Sequence, residues 1–206
     1  MSSKDRILTA AIMVFARKGR HGARMEEIAA EAAINKAMIY YLFHSKDELY
    51  FEVLKHIFME MFEDGVRTKK RIVESGKKPE EMIADHIENA FHSFNNRNPD
   101  YTKILIDSIC SGAEEIPRVI SYCKSTIGEK STEIIDEAVT RGLGKGVFRD
   151  ISPEQLNLSI LGMILVYSMT RGLCDVLDIS VGDENEFLEK RKQSITDLVL
   201  HGVLKK

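Results

Sequence analysis

Lys36, Ala37, Tyr40 and Tyr41 fall within six residues, and Lys46 follows five positions later. On a helix the first four share a face, because residues three and four apart stand above one another. A lysine there meets a phosphate or a guanine edge, and a tyrosine hydroxyl bonds a phosphate. A residue as small as Ala37 permits close approach or touches a thymine methyl. Taken singly, Tyr40 has a second reading as a packing residue, and Lys36 or Lys46 as a solvated charge. Together on one face they have the side-chain chemistry of a surface that reads double-stranded DNA.

Other chemistry has little support. The chain has no GxxxxGK, HExxH or GxSxG string, which removes the usual phosphate-loop, zinc-protease and serine-hydrolase readings. Gly142-Leu143-Gly144-Lys145-Gly146 resembles part of a phosphate loop but follows a helical pattern rather than a strand. It reads as a helix-ending turn that uses the freedom of glycine at positive φ. The six histidines (21, 44, 56, 86, 92, 201) show no chelating spacing; His86 and His92 are six apart. Three cysteines, Cys110, Cys123 and Cys174, form no CxxC pair and read as core residues in a reducing cytosol. Neither a cofactor nor a metal is expected.

Composition sets the class. With 206 residues, 44% of them apolar and 30% charged, the chain buries a substantial core as one large or two unequal domains. A net charge of -3 disfavours nucleic acid until it is divided. The first fifty residues hold eight basic against six acidic side chains, +2, leaving 21 against 26, or -5, on the rest. A basic end on an acidic body points to an anion-binding module attached to a body with another task. The charged opening Met1 to Arg6 has no apolar signal core, so a cytoplasmic location is expected. The longest apolar stretch, Leu156 to Met169, is interrupted by Asn157, Ser159, Gly162 and Ser168 and is short of the roughly 20 clean residues of a membrane span. It reads as a buried helix, and no membrane partner is expected.

The elements that must position the DNA-facing set are helical. Ile7, Leu8, Ala11, Ile12 and Phe15 recur at three and four, and Gly19 with Gly22 stops that helix. Met25, Ile28, Ala29 and Ala32 repeat the pattern in a short second helix. A third begins after Asn35, a fitting N-cap. Ser45-Lys46-Asp47-Glu48 reads as a capping box opening a helix through Leu49, Val53, Leu54, Ile57 and Met61 and past Gly65 toward Arg71. Further helices follow Pro79, span Tyr101 to Ile109, run on from Pro117 past Val139, start at the Ser152-Pro153-Glu154-Gln155 cap, and start after Asp183. Asn95-Asn96-Arg97-Asn98-Pro99 reads as a break. No alternating strand pattern occurs, so the expected fold is all-α with about nine helices.

Two short helices joined by Ala33-Ile34-Asn35 have helix-turn-helix spacing, with Ile28, Ala29, Ile34, Ile39 and Phe43 inward. The strings Ile28-Ala29, Ile34-Asn35-Lys36, Ile39-Tyr40-Tyr41-Leu42-Phe43 and Ser45-Lys46-Asp47-Glu48-Leu49 resemble the amino-terminal domain of the TetR family of bacterial transcription regulators. The Ile7 to Phe15 helix with Gly19 is similar to that family's first helix. The resemblance covers roughly the first fifty residues and implies a homodimer that binds an operator. It implies a three-helix DNA-binding domain over 1–48 and a helical ligand-binding and dimerisation domain over 49–206. It places Asn35, Lys36, Ala37 and Tyr41 at or beside the base edges, Tyr40 and Lys46 at phosphates, and Arg24 near the backbone. The sequence departs from the family where Ala33 and Ala37 replace glycines, Leu42 replaces histidine or tyrosine, and Ala23-Arg24 replaces a threonine or serine cap.

In the second domain Phe91, Phe94, Tyr101, Tyr122, Met163 and Tyr167 are each expected as core, yet together they supply the walls of an apolar site. His86, Tyr122 or Asn157 would be its polar anchor. The expected partner is a small apolar or amphipathic effector that releases a repressor from a palindromic operator. The alternatives are a helical binding or protein-interaction module that does not read DNA and, further off, a helical enzyme using the aromatic site.

Overall fold

A computed structural model of the protein describes residues 2–96, 98–127 and 133–205. Among these there are ten α-helices: α1 (Ser3–Gly22), α2 (Met25–Glu31), α3 (Lys36–Phe43), α4 (Lys46–Glu74), α5 (Pro79–Phe91), α6 (Pro99–Cys110), α7 (Ile116–Ile127), α8 (Glu133–Gly144), α9 (Pro153–Thr170) and α10 (Glu184–Val203). There are ten rather than nine because the stretch after Pro117 is described as two helices, with residues 128–132 outside the described residues. A π-helical turn, His92–Asn96, prolongs α5 where the asparagine run was expected to break it; Arg97 of that run lies outside the described residues.

The chain divides into two compact units, Met1–Glu63 with Asn98–Gly128 and Asp64–Arg97 with Glu129–Lys206. By compactness, α6 and α7 therefore belong with the amino-terminal helices, and no boundary between the units falls at the expected division after residue 48.

In the first unit α1 buries Ile7, Ala10, Ala11, Val14 and Phe15, a stripe at three and four that removes one helix face from water. Ser2 and Asp5 cap it reciprocally, at 3.1 and 2.9 Å. α2 and α3 bury Ile28, Ala29, Ile39 and Phe43 on the expected side, with Ile34 only partly covered. Between them the Ile34 N–H donates to the Ala29 carbonyl at 3.0 Å. This is a Schellman closure, which requires a left-handed residue just past the helix. Ala33 fills that place at φ 50°. The Arg6 guanidinium donates to the carbonyls of Ala32 at 2.7 Å and Ala33 at 3.0 Å, anchoring the turn from α1. Asn35 then caps α3, accepting from the Ala37 N–H at 2.9 Å.

In the second unit α5, α8, α9 and α10 close on a core that includes Ile83, Ile87, Phe91, Ile135, Phe148, Ile160 and Val199. Gly142 lies under the Phe148 ring, so closely that a Cβ there would enter the ring's van der Waals envelope. Gly146, at φ 69°, ends the turn. The glycine run is thus a helix end shaped to seat an aromatic ring. The segment around Phe148 pairs with the chain end through Arg149 N–H to the Val203 carbonyl and Lys205 N–H to the Val147 carbonyl, each 2.9 Å; beyond this isolated bridge no strand occurs among the described residues.

The expectation of a buried helix over Leu156 to Met169 is corrected. α9 buries Leu156, Ile160, Ile164 and Tyr167 but exposes Val166, Met169 and Leu158, the last at 65%. Pro153–Leu173 is also the one helix among the described residues that is long and apolar enough to cross a membrane by length and composition. With its polar residues scattered rather than gathered in a stripe, α9 offers one face to its own unit and leaves apolar side chains of the other uncovered in the single chain.

Two stability measurements test these turns. Gly142→Ala should lower unfolding free energy in urea by about 1 to 3 kcal/mol, because the added methyl overpacks Phe148. Ala33→Gly should raise it by about 1 kcal/mol: the relieved left-handed strain, about 1 to 2 kcal/mol, exceeds the extra entropy glycine loses, about 0.5 to 1.

Candidate nucleic-acid interface

α3 carries the expected outward set on one face. Tyr41 is 77% exposed, Tyr40 and Ala37 are exposed, and Lys36 is half-exposed. Met38 is exposed on the same helix, although the apolar pattern groups it with the inward residues. Asn35 is exposed at the start of the helix while its side chain caps it.

The charges are not free. The Lys36 ammonium pairs with Glu26 of α2 and lies 5.5 Å from the Tyr40 ring centroid. The hydrogen bond from Lys36 holds the Glu26 carboxyl below the usual carboxylate range. Lys46 lies half-buried and directs its ammonium to the carbonyls of Ala23 at 3.2 Å and His21 at 3.4 Å. Arg24 is exposed in the N-cap position of α2; having no side-chain oxygen to cap with, it only gives its N–H to Glu27, at 3.3 Å. The box expected at Ser45 is present in its first half, with the Glu48 N–H donating to Ser45 Oγ at 3.0 Å.

The residues expected around an effector fall in both units. His86, Phe91, Phe94, Met163 and Tyr167 are in the second; Tyr101 and Tyr122 are in the first. Phe91 is core, and Phe94 and Met163 pack against the same core. Tyr167 donates to Glu184 at 3.0 Å, and burial, reinforced by that carboxylate, pushes its hydroxyl up to about 12. His86 is buried with Nε2 3.0 Å from Asn157 Oδ1 and Nδ1 without a hydrogen-bond partner; burial holds its pKa below the ordinary value. Tyr101 Oη is 3.0 Å from His56 Nε2. Tyr122 is exposed under the Lys55 ammonium, 4.9 Å from its ring centroid.

Sequence reasoning missed Arg6 and Glu26. Arg6 stands as an ordinary charge in a helix start, and nothing local points to a turn 26 residues away. Glu26 is detectable only once α2 and α3 are crossed.

Comparison with known proteins bears on the family and the fold. Residues 7–53 match the family described as bacterial regulatory proteins, tetR family. The transcriptional repressor NicS of Pseudomonas putida is 27% identical over 98% of this chain and 92% of its own. Among solved structures, a transcriptional regulator from Saccharomonospora viridis in complex with choline superposes with a TM-score of 0.70 at 19% identity, covering 98% of each chain. The ketosteroid transcriptional regulator KstR2 of Mycobacterium tuberculosis gives 0.69 at 19% identity, over 100% of this chain and 96% of that one. The fold of the whole chain is shared with such regulators. The amino-terminal segment thus matches the tetR family of bacterial regulatory proteins, and the chain as a whole is similar to regulators of this kind.

Proposed function

We propose that the protein is a ligand-responsive repressor that, as a homodimer, holds a near-palindromic operator and leaves it when a small molecule binds the second domain. The observation that carries the DNA half is the outward face of α3, with Tyr41 77% exposed on a helix locked to α2 by the Ala33 turn. Two such helices enter successive major grooves with half-sites about one helical turn, or 34 to 36 Å, apart. Lys36, Ala37 and Tyr41 face base edges, with Asn35 beside them. Tyr40, Lys46 and Arg24 face phosphates, and Lys46 does so by exchanging its two long carbonyl bonds for a phosphate oxygen. A DNA-reading role places the protein in the bacterial cytoplasm, and its relatives are regulators rather than enzymes.

The uncovered faces of α9 and α10, Leu158 and Val166 on one and Leu198 on the other, pair with their symmetry mates. Exposed apolar area of this extent on adjacent helices is what a two-fold interface removes from water. The effector is apolar or amphipathic, in keeping with the aromatic side chains of its walls; of the regulators of similar fold, one is described in complex with choline, a small organic cation, and another as a ketosteroid transcriptional regulator. Phe91, Phe94, Met163 and Tyr167 supply its walls and His86, with its free Nδ1, the polar anchor in the second unit; Tyr101 and Tyr122 lie in the first unit and stand outside this proposal. α4, which has residues in both units, carries the change. A coupling of about 1 to 3 kcal/mol lowers operator affinity 5- to 150-fold.

Anisotropy titrations with a DNA site recovered by unbiased selection, over a salt series, test the DNA half. Lys46→Ala should weaken binding to all sequences and reduce the salt slope by about 1, whereas Tyr41→Ala should change sequence preference more than general affinity. Both variants binding like the parent would refute the assignment. For the dimer, the parent should run at twice the chain mass at micromolar concentration, and Leu158→Glu with Leu198→Glu should yield a monomer that has lost operator affinity.

A further inference from the structure

α1 does not run unbroken to Gly22. At Gly19 the backbone turns left-handed, φ 67° and ψ 173°. A single new turn follows, closed by the Ala23 N–H on the Gly19 carbonyl at 3.2 Å. So short a turn leaves its first amide without a helical partner, and glycine has no side chain with which to cap it. The cap comes from α6: an Asp107 carboxylate oxygen accepts from the Arg20 N–H at 3.0 Å. The carbonyl end of the same turn is met from α4 by the Lys46 ammonium. An anion at the amino end and a cation at the carbonyl end both oppose the peptide dipoles in the stabilising sense.

The approach is close. A Cβ at Gly19 would lie 2.7 Å from Asp107 Oδ1, so glycine is required there both for its φ and for the room it leaves. The Arg20 side chain extends the joint, with its guanidinium 3.2 Å from Asp47, 3.7 Å from Glu115 and 5.5 Å from the Tyr50 ring centroid. Ala23 is buried and is followed at once by Arg24, the N-cap of α2. The 20–23 turn is therefore the hinge from which α2, and through the Ala33 turn α3, leave α1.

We propose that Asp107 is a positioning residue for operator recognition: by capping the 20–23 turn it sets the orientation of the helix-turn-helix, although it does not itself contact DNA. This rests on the DNA-reading assignment above. Without the cap the Arg20 amide is unpaired and the turn frays, so α3 samples orientations that miss the base edges. Lys46 and Arg24 keep their charges, so the grip on arbitrary phosphates is unchanged.

The test compares parent, Asp107→Ala and Asp107→Asn on the selected operator and on an unrelated duplex of equal length, with thermal melts to confirm folding. The asparagine oxygen can still accept from the Arg20 N–H. Asp107→Ala should bind the operator about tenfold more weakly, the scale of one mismatched base pair, and the unrelated duplex within about twofold of the parent, while Asp107→Asn retains operator affinity. Should the alanine variant fail to fold, Asp107→Glu, which keeps the charge but displaces the acceptor by one methylene, should show the same selective loss. Equal binding of operator by parent and alanine variants, or equal loss on both duplexes, overturns the inference. A parent that does not distinguish operator from unrelated DNA overturns the DNA-reading assignment instead.

Discussion

Everything the molecule presents to a double helix depends on a chain reversal at a residue poorly suited to it. α2 and α3 have seven and eight residues, well below the roughly 12 to 15 at which a helix is marginally stable alone in water. Neither persists except by packing on the other and on α1, and their crossing is set by the left-handed Ala33. An alanine accepts that conformation only when its surroundings over-determine it. Here they do so through the Schellman bond below it and the two carbonyl bonds from Arg6 beside it. Arg6 satisfies carbonyls that the turn leaves outside any helix, and it links the turn to the one long helix of the reader.

Charge in the reader is organised by acidic partners. Arg17 pairs with Glu31, Lys18 with Glu27, Lys36 with Glu26 and Arg20 with Asp47. These pairs are largely solvent-exposed, and such pairs contribute little to stability in water. Their effect is on placement: the first three each tie the short α2 to a neighbour, and Arg20–Asp47 joins the end of α1 to the start of α4. The small basic excess of the first fifty residues is therefore held in fixed positions rather than spread as a diffuse cloud.

What the sequence made legible was local. Asn35, Ser152 and Asp183 cap the helices they were expected to cap, because a capping bond spans only two or three residues. Ile28, Ala29, Ile39 and Phe43 are buried as their spacing required. Contacts that close over long stretches of chain left no such trace. Arg6 reaches 26 residues forward and Arg20 meets Asp107 across 87, and an arginine or an aspartate on an amphipathic helix looks the same with or without such a partner. The aromatics illustrate the other limit: periodicity marks Tyr101 and Phe91 alike as apolar, yet they join different units. α9 has no polar stripe to separate its inner from its outer face, so only the structure shows which half is covered.

The pairing of Lys36 with Glu26 bears on how such a protein searches a genome. A reader whose lysines all stood bare would be held by every stretch of backbone, and the many competing sites would absorb it. In the proposed assignment of Lys36 to a base edge, Glu26 screens that lysine, so random phosphates gain little from it and the correct half-site recovers the contact by drawing the ammonium away from its carboxylate. On that assignment, weak attachment to the wrong sequence, as much as strong attachment to the right one, follows from the contact between α2 and α3.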